Sequence, residues 1–133
     1  MWKLASVVAG ALIMAAAPAS ANSNGEAELE RALAGRVAGE PVRCINLMPS
    51  TSSTVIDNTA ILFRVGSTIY VNRPRAGAES LDRNDTLVNR LYGGGRQLCS
   101  VDTMRTVDLQ SGMMTGVVFL GEFVPYRRVS SRY

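Results

Sequence analysis

The sequence predicts a mainly β fold: a compact antiparallel sheet, or a small barrel or sandwich, with one or two short peripheral helices. Three observations predict it. From Val42 onward, apolar residues recur at strand spacing in short segments bounded by turn residues. The pairs Asp57-Asn58, Gly66-Ser67 and Ser111-Gly112 lie between such segments and suit tight turns. Cys44 and Cys99, far apart in the chain, can staple a small core.

The first element is an export signal. Met1–Lys3 is a short, singly charged start, and Leu4 to Ala17 is an uncharged, mostly apolar run. Pro18 breaks that run, and Ala19-Ser20-Ala21 places small residues where a signal peptidase reads them. A membrane anchor is the alternative, but spanning a bilayer takes about 20 apolar residues and this run is shorter. No cysteine near residue 22 offers a lipid attachment point. Residues 1–21 are therefore expected to be removed by a cut after Ala21, leaving no membrane span and a periplasmic or secreted product.

Lys3 is the only lysine, so the product carries 13 arginines against 11 acidic residues, a net of +2. That balance argues against a nucleic-acid partner, since a nucleic-acid binder would usually show a clustered basic face. Its 112 residues fit one domain, burying roughly 65% of the unfolded surface.

Residues 22–41 form a helical lead-in. Leu29, Leu33 and Val37, with Ala32, predict a helix over Glu26–Ala38. Ser23 or Asn24 caps its start, early glutamates and a late Arg36 suit its dipole, and Gly39 and Pro41 stop it.

Residues 42–126 form the disulfide-stapled β domain. Val42 to Met48 is a first strand, ended by Pro49 and Ser50. Thr54–Ile56 and Thr59–Val65 flank Asp57-Asn58 as a hairpin, and Thr68–Asn72 follows Gly66-Ser67, so three strands form a meander. Ile61, Phe63 and Val65 give the middle strand one apolar face, with Leu62 and Arg64 on the other. Arg73 to Arg83 is a loop. Asn84 or Asp85 then caps a short second helix through Leu87, Val88 and Leu91, closed by Gly93-Gly94-Gly95. Gln97–Val101 is a brief strand or turn, and Met104–Leu109 and Met114–Val124 form a last hairpin. Residues 127–133 are a basic C-terminal tail, expected to fray with Tyr126.

An even cysteine count in an exported small domain reads as a Cys44–Cys99 disulfide. The chain has no histidine, which removes Ser-His-Asp and Cys-His catalysis and the commonest transition-metal ligand. With both cysteines bonded, no metal site and no cofactor are expected. Asp82-Arg83-Asn84-Asp85 resembles the start of a calcium loop, but Leu87 and Gly93 stand where glycine and glutamate are required. Gly93-Gly94-Gly95-Arg96 lacks the lysine and hydroxyl of a phosphate loop and follows a helix signal instead of preceding one. Met48, Met104, Met113 and Met114 read as core or turn residues. Asp82, Asp85, Asp102 and Glu122 are the carboxylates available for paired acid and base work. Arg73, Arg75 and Arg96, with Arg127 and Arg128, are the candidates for anion binding, because guanidinium pairs bidentately with carboxylate and phosphate.

Arg43-Cys44-Ile45, Tyr70-Val71-Asn72-Arg73-Pro74, Gln97-Leu98-Cys99 with Asp102, and Phe123-Val124-Pro125-Tyr126 carry a resemblance. Over roughly Arg43 to Tyr126 the chain resembles a group of short, exported, uncharacterised bacterial proteins with two cysteines. The resemblance implies export and the disulfide, and no substrate. Two functions follow as expectations. The first is a non-enzymatic binding or envelope-accessory module whose partner is an envelope protein or an anionic envelope component. The alternative is a small periplasmic hydrolase using carboxylates such as Asp82 or Asp102.

Overall fold

The computed structural model describes residues 23–48, 51–89 and 96–129. The expected leader and its expected cut after Ala21, the Pro49-Ser50 strand stop, Leu91, the glycine run and residues 130–133 lie outside them.

The chain is mainly β. Among the described residues one helix, α1 (Ser23–Ala32), precedes ten strands: β1 (Arg36–Ala38), β2 (Cys44–Asn46), β3 (Ser52–Ile56), β4 (Ala60–Val65), β5 (Thr68–Asn72), β6 (Asp85–Asn89), β7 (Gln97–Cys99), β8 (Thr103–Asp108), β9 (Met114–Phe119) and β10 (Phe123–Arg128). A 3-10 turn, Ala78–Ser80, lies in the loop after β5. Among the described residues the strands make three antiparallel sheets, ordered β1-β10-β5-β4-β3, β6-β8-β9 and β2-β7, and no barrel closes.

The meander β3-β4-β5 follows the turn chemistry of the sequence. Asn58 takes a left-handed φ of 53°, with Thr59 N–H bonded to Ile56 O, and Gly66 takes φ 60° in the next turn. At the β8–β9 hairpin Gly112 has φ 70°, while Asp108 Oδ1 accepts from the amides of Gln110 (2.7 Å) and Ser111 (2.8 Å). Those amide bonds, Ser111's foremost, hold the Asp108 carboxyl below its ordinary pKa.

Three expectations are corrected. The helix ends at Ala32 instead of reaching Ala38. Gly35, at φ 75°, turns the chain, Arg36 N–H bonds Leu33 O, and Arg36–Ala38 becomes a strand opposite Arg128–Tyr126. Val37 therefore leaves the helical stripe and stands 58% exposed. The second helix is replaced by β6, which pairs with β8 from Asp85↔Asp108 to Asn89↔Met104. Asn84 N–H instead bonds Asp82 Oδ1 (2.8 Å) in a turn that launches the strand. The C-terminal segment is ordered through Arg128, since Tyr126, Arg127 and Arg128 belong to β10 and face β1.

Two predicted strands are also subdivided. Val42 bridges Phe123 while Cys44–Asn46 joins β7, so Val42–Met48 serves two sheets. Met114–Val124 breaks into β9 and β10 around Gly121. There the Asn72 side chain donates to Gly121 O (2.7 Å) and accepts from Gly121 N–H (2.9 Å). A side chain at Gly121 would collide with the Arg73 carbonyl, so the crossing needs glycine.

Both faces of the large sheet are covered. Ile61 and Phe63 of β4 pack with Ile45, Leu98, Leu120 and Phe123, and the Phe63 and Phe123 rings meet edge to face at 5.8 Å. Leu62, with Ala60, Ile69 and Val71, packs against Leu29 of α1. This double burial is why β4 reads as a nearly continuous apolar run.

Candidate functional site

The charged side chains first picked out are largely engaged in holding the fold. Arg73 follows β5, and its two Nη groups donate to Glu26 Oε1 (2.5 Å) and Oε2 (2.9 Å) of α1. That bond raises the Arg73 pKa and lowers that of Glu26. Arg75 donates through Nε to Leu120 O (2.7 Å) and through Nη2 to Ser100 O (3.3 Å), tying the loop to the β9–β10 crossing and to the turn after β7. Arg96 is exposed, and its carbonyl accepts from Leu47 N–H beside β2. The Arg73 and Arg75 guanidiniums thus turn toward different neighbours. Arg83 makes a second clamp, joining Asp57 Oδ2 (3.0 Å) of the β3–β4 turn and Glu28 Oε2 (2.8 Å) of α1.

The carboxylates are similarly occupied. Asp102 Oδ2 accepts from Cys99 N–H (2.7 Å), Asp82 caps its turn, and the Thr115 hydroxyl donates to Asp85 Oδ2 (2.5 Å). Glu122 is exposed. Among the described residues no group of three or more histidines, cysteines and carboxylates is placed to hold a metal ion. Among the described methionines, Met104 is buried in the core while Met48, Met113 and Met114 are exposed.

The Glu26–Arg73 pair makes one pH-dependent contribution. A carboxylate with a depressed folded pKa stabilises fully above its unfolded value, and that contribution disappears as pH falls through the folded pKa. Both side chains are about half exposed, 50% and 56%, so solvent screens the pair to below about 1 kcal/mol. Urea melts of the natural chain and of Glu26→Gln are expected to differ by that small amount at pH 7. The gap should close below the ordinary Glu26 value of 4.5; a gap that persists unchanged in acid would remove the ion pair as its cause.

A different group of arginines converges. Arg36 of β1 is the register partner of Arg128 of β10. Tyr126 of β10 faces Ile69 of β5, and Ile69 faces Arg64 of β4. With a period of two, Arg36, Arg128, Tyr126, Ile69 and Arg64 project from the same face of the sheet, the one that α1 partly covers. Arg36 Nη1 donates to Tyr126 O (3.1 Å) and Ser67 O (2.9 Å), so its side chain lies across β10 and reaches the β4–β5 turn. Arg128 was among the candidates in the sequence, whereas Arg36 and Arg64 were not. Their convergence depends on β1 pairing with β10, which no local pattern reports.

No protein-family model matches the chain, and no curated protein or solved structure matches it.

Proposed function

We propose that this chain is an exported, non-enzymatic binding module of the bacterial envelope, acting in the periplasm or beyond it. The observation that carries this reading is the Cys44–Cys99 bond, formed between register partners of β2 and β7. Such bonds persist in oxidising compartments outside the cytoplasm. The signal-like residues 1–21 and the resemblance to short exported bacterial proteins support the same location. Binding is favoured over hydrolysis because Asp82, Asp85 and Asp102 serve turns and a hydroxyl contact, and the chain has no histidine. The partner is an envelope protein or an anionic envelope component.

Mass spectrometry of periplasmic protein tests the reading. The expected chain begins at Asn22 and takes up two alkyl groups only after reduction. A chain that begins at Met1 with two free thiols would overturn it. Turnover of a glycan panel with a bell-shaped pH profile would favour the carboxylate hydrolase instead.

A further inference from the structure

We propose that Arg36, Arg64 and Arg128 form a binding site for a phosphate group. The proposal rests on the binding-module reading and gives it a site and a ligand chemistry.

Arg36 and Arg128 stand directly opposite each other on neighbouring strands, a placement in which like charges repel. Arg64 adds a third positive charge close enough for its field to reach Arg36. The Arg36 pKa is lowered by burial first, then by the charges of Arg128 and Arg64. No acid forms an ion pair with any of the three: among the described residues, ion pairs engage only Arg73 and Arg83, which hold the neighbouring Glu26 and Glu28. Glu30, which lines a cleft with Arg36, makes none among them. Arg64 and Arg128 are exposed, and neither donates to a protein acceptor among the described residues. Arg36 is already held in place by its two carbonyl bonds, so little ordering remains for a ligand to impose on it.

An anion placed among these side chains relieves the repulsion and supplies the missing acceptors. Three guanidiniums approaching from three strands suit a group with three or more oxygens and a double charge, which describes a phosphate better than a carboxylate. A cleft of about 220 Å³ adjoins the cluster, between α1 and the sheet. Arg64 lines it together with Glu28, Ala32, Leu62 and Ile69. Arg83 engages the Glu28 carboxylate, and the aliphatic side chains leave a place for an apolar portion of the same ligand.

The test uses the disulfide-bonded chain from Asn22 onward, isotopically labelled and observed by NMR at low salt while sodium pyrophosphate is added. Amide shifts are expected to concentrate at residues 36, 64, 67 and 126–128. The double variant Arg64→Gln/Arg128→Gln removes side chains without protein bonds, so its fold should persist, and its affinity should fall roughly tenfold or more. Arg96→Gln should bind as the natural chain does. A parallel sedimentation measurement with phosphatidylglycerol–phosphatidylcholine vesicles, against phosphatidylcholine alone, identifies the source. Vesicle binding lost in the double variant indicates a lipid headgroup, and pyrophosphate binding alone indicates a soluble phosphorylated molecule. If neither probe binds, or if binding survives the double variant and follows Arg96, the site is overturned. The binding-module reading would still stand or fall separately on the mass-spectrometric test.

Discussion

Replacing Cys44 and Cys99 together by serine is expected to lower the stability by about 4 kcal/mol, the chain-entropy value for a loop of this length. The bond joins residues 55 apart in sequence, so cutting it frees nearly half the chain in the unfolded state. The native-state argument is stronger still. Among the described residues β2 and β7 pair only with each other, through Cys44↔Cys99, Ile45↔Leu98 and Asn46↔Gln97. A short two-stranded ribbon has little stability of its own. Yet its central pair, Ile45 and Leu98, fills the core between the large sheet and β8 and β9. Without the bond the ribbon can part, and those two side chains lose their setting. Domains of this kind have about 5–15 kcal/mol in total, so the loss should be plain in a urea melt of the double variant. A change under about 1 kcal/mol would mean that the ribbon is held by core packing alone.

Asn72→Ala is expected to cost about 2–5 kcal/mol, because it leaves two buried backbone groups unpaired at once. Asn72 is fully buried at the end of β5, and its amide satisfies both the N–H and the C=O of Gly121. Gly121 is itself buried where the chain leaves the small sheet for the large one, so no water replaces the lost partners readily. Asn72→Asp is the informative companion: it keeps the acceptor for Gly121 N–H but sets a carboxylate against Gly121 O. Thermal melts should place both variants well below the natural chain. An Asn72→Ala midpoint within a degree or two of it would show that the crossing is held by other contacts, such as Arg75 on Leu120 O.

Much of the fold was legible wherever its cause is local. Asp57-Asn58, Gly66-Ser67 and Ser111-Gly112 mark real turns because left-handed backbone at Asn58, Gly66 and Gly112 demands such residues. β5 has the bounds its alternation implies. What was not legible depends on distant partners. Arg36–Ala38 looks like the tail of a helix until Tyr126–Arg128 arrives to pair with it. Asp85–Asn89 carries both a cap signal and a strand composition, and pairing with β8 decides between them. The candidate site shows the same division. Arg73 and Arg75 were visible as charges, but their bonds to Glu26, Leu120 and Ser100 were not. The Arg36–Arg64–Arg128 group exists only once three strands are in register.

The place of β10 in the large sheet also governs when the molecule can fold. It is the last strand among the described residues, yet it lies between β1 and β5. During synthesis the β3-β4-β5 meander can close from local hairpins, whereas β1 has no partner until residues 126–128 emerge. Closing that long span is slow relative to hairpin formation. A nascent chain therefore keeps this sheet incomplete until residues 126–128 have emerged. Strand order alone thus sets completion of the large sheet after closure of the meander within it.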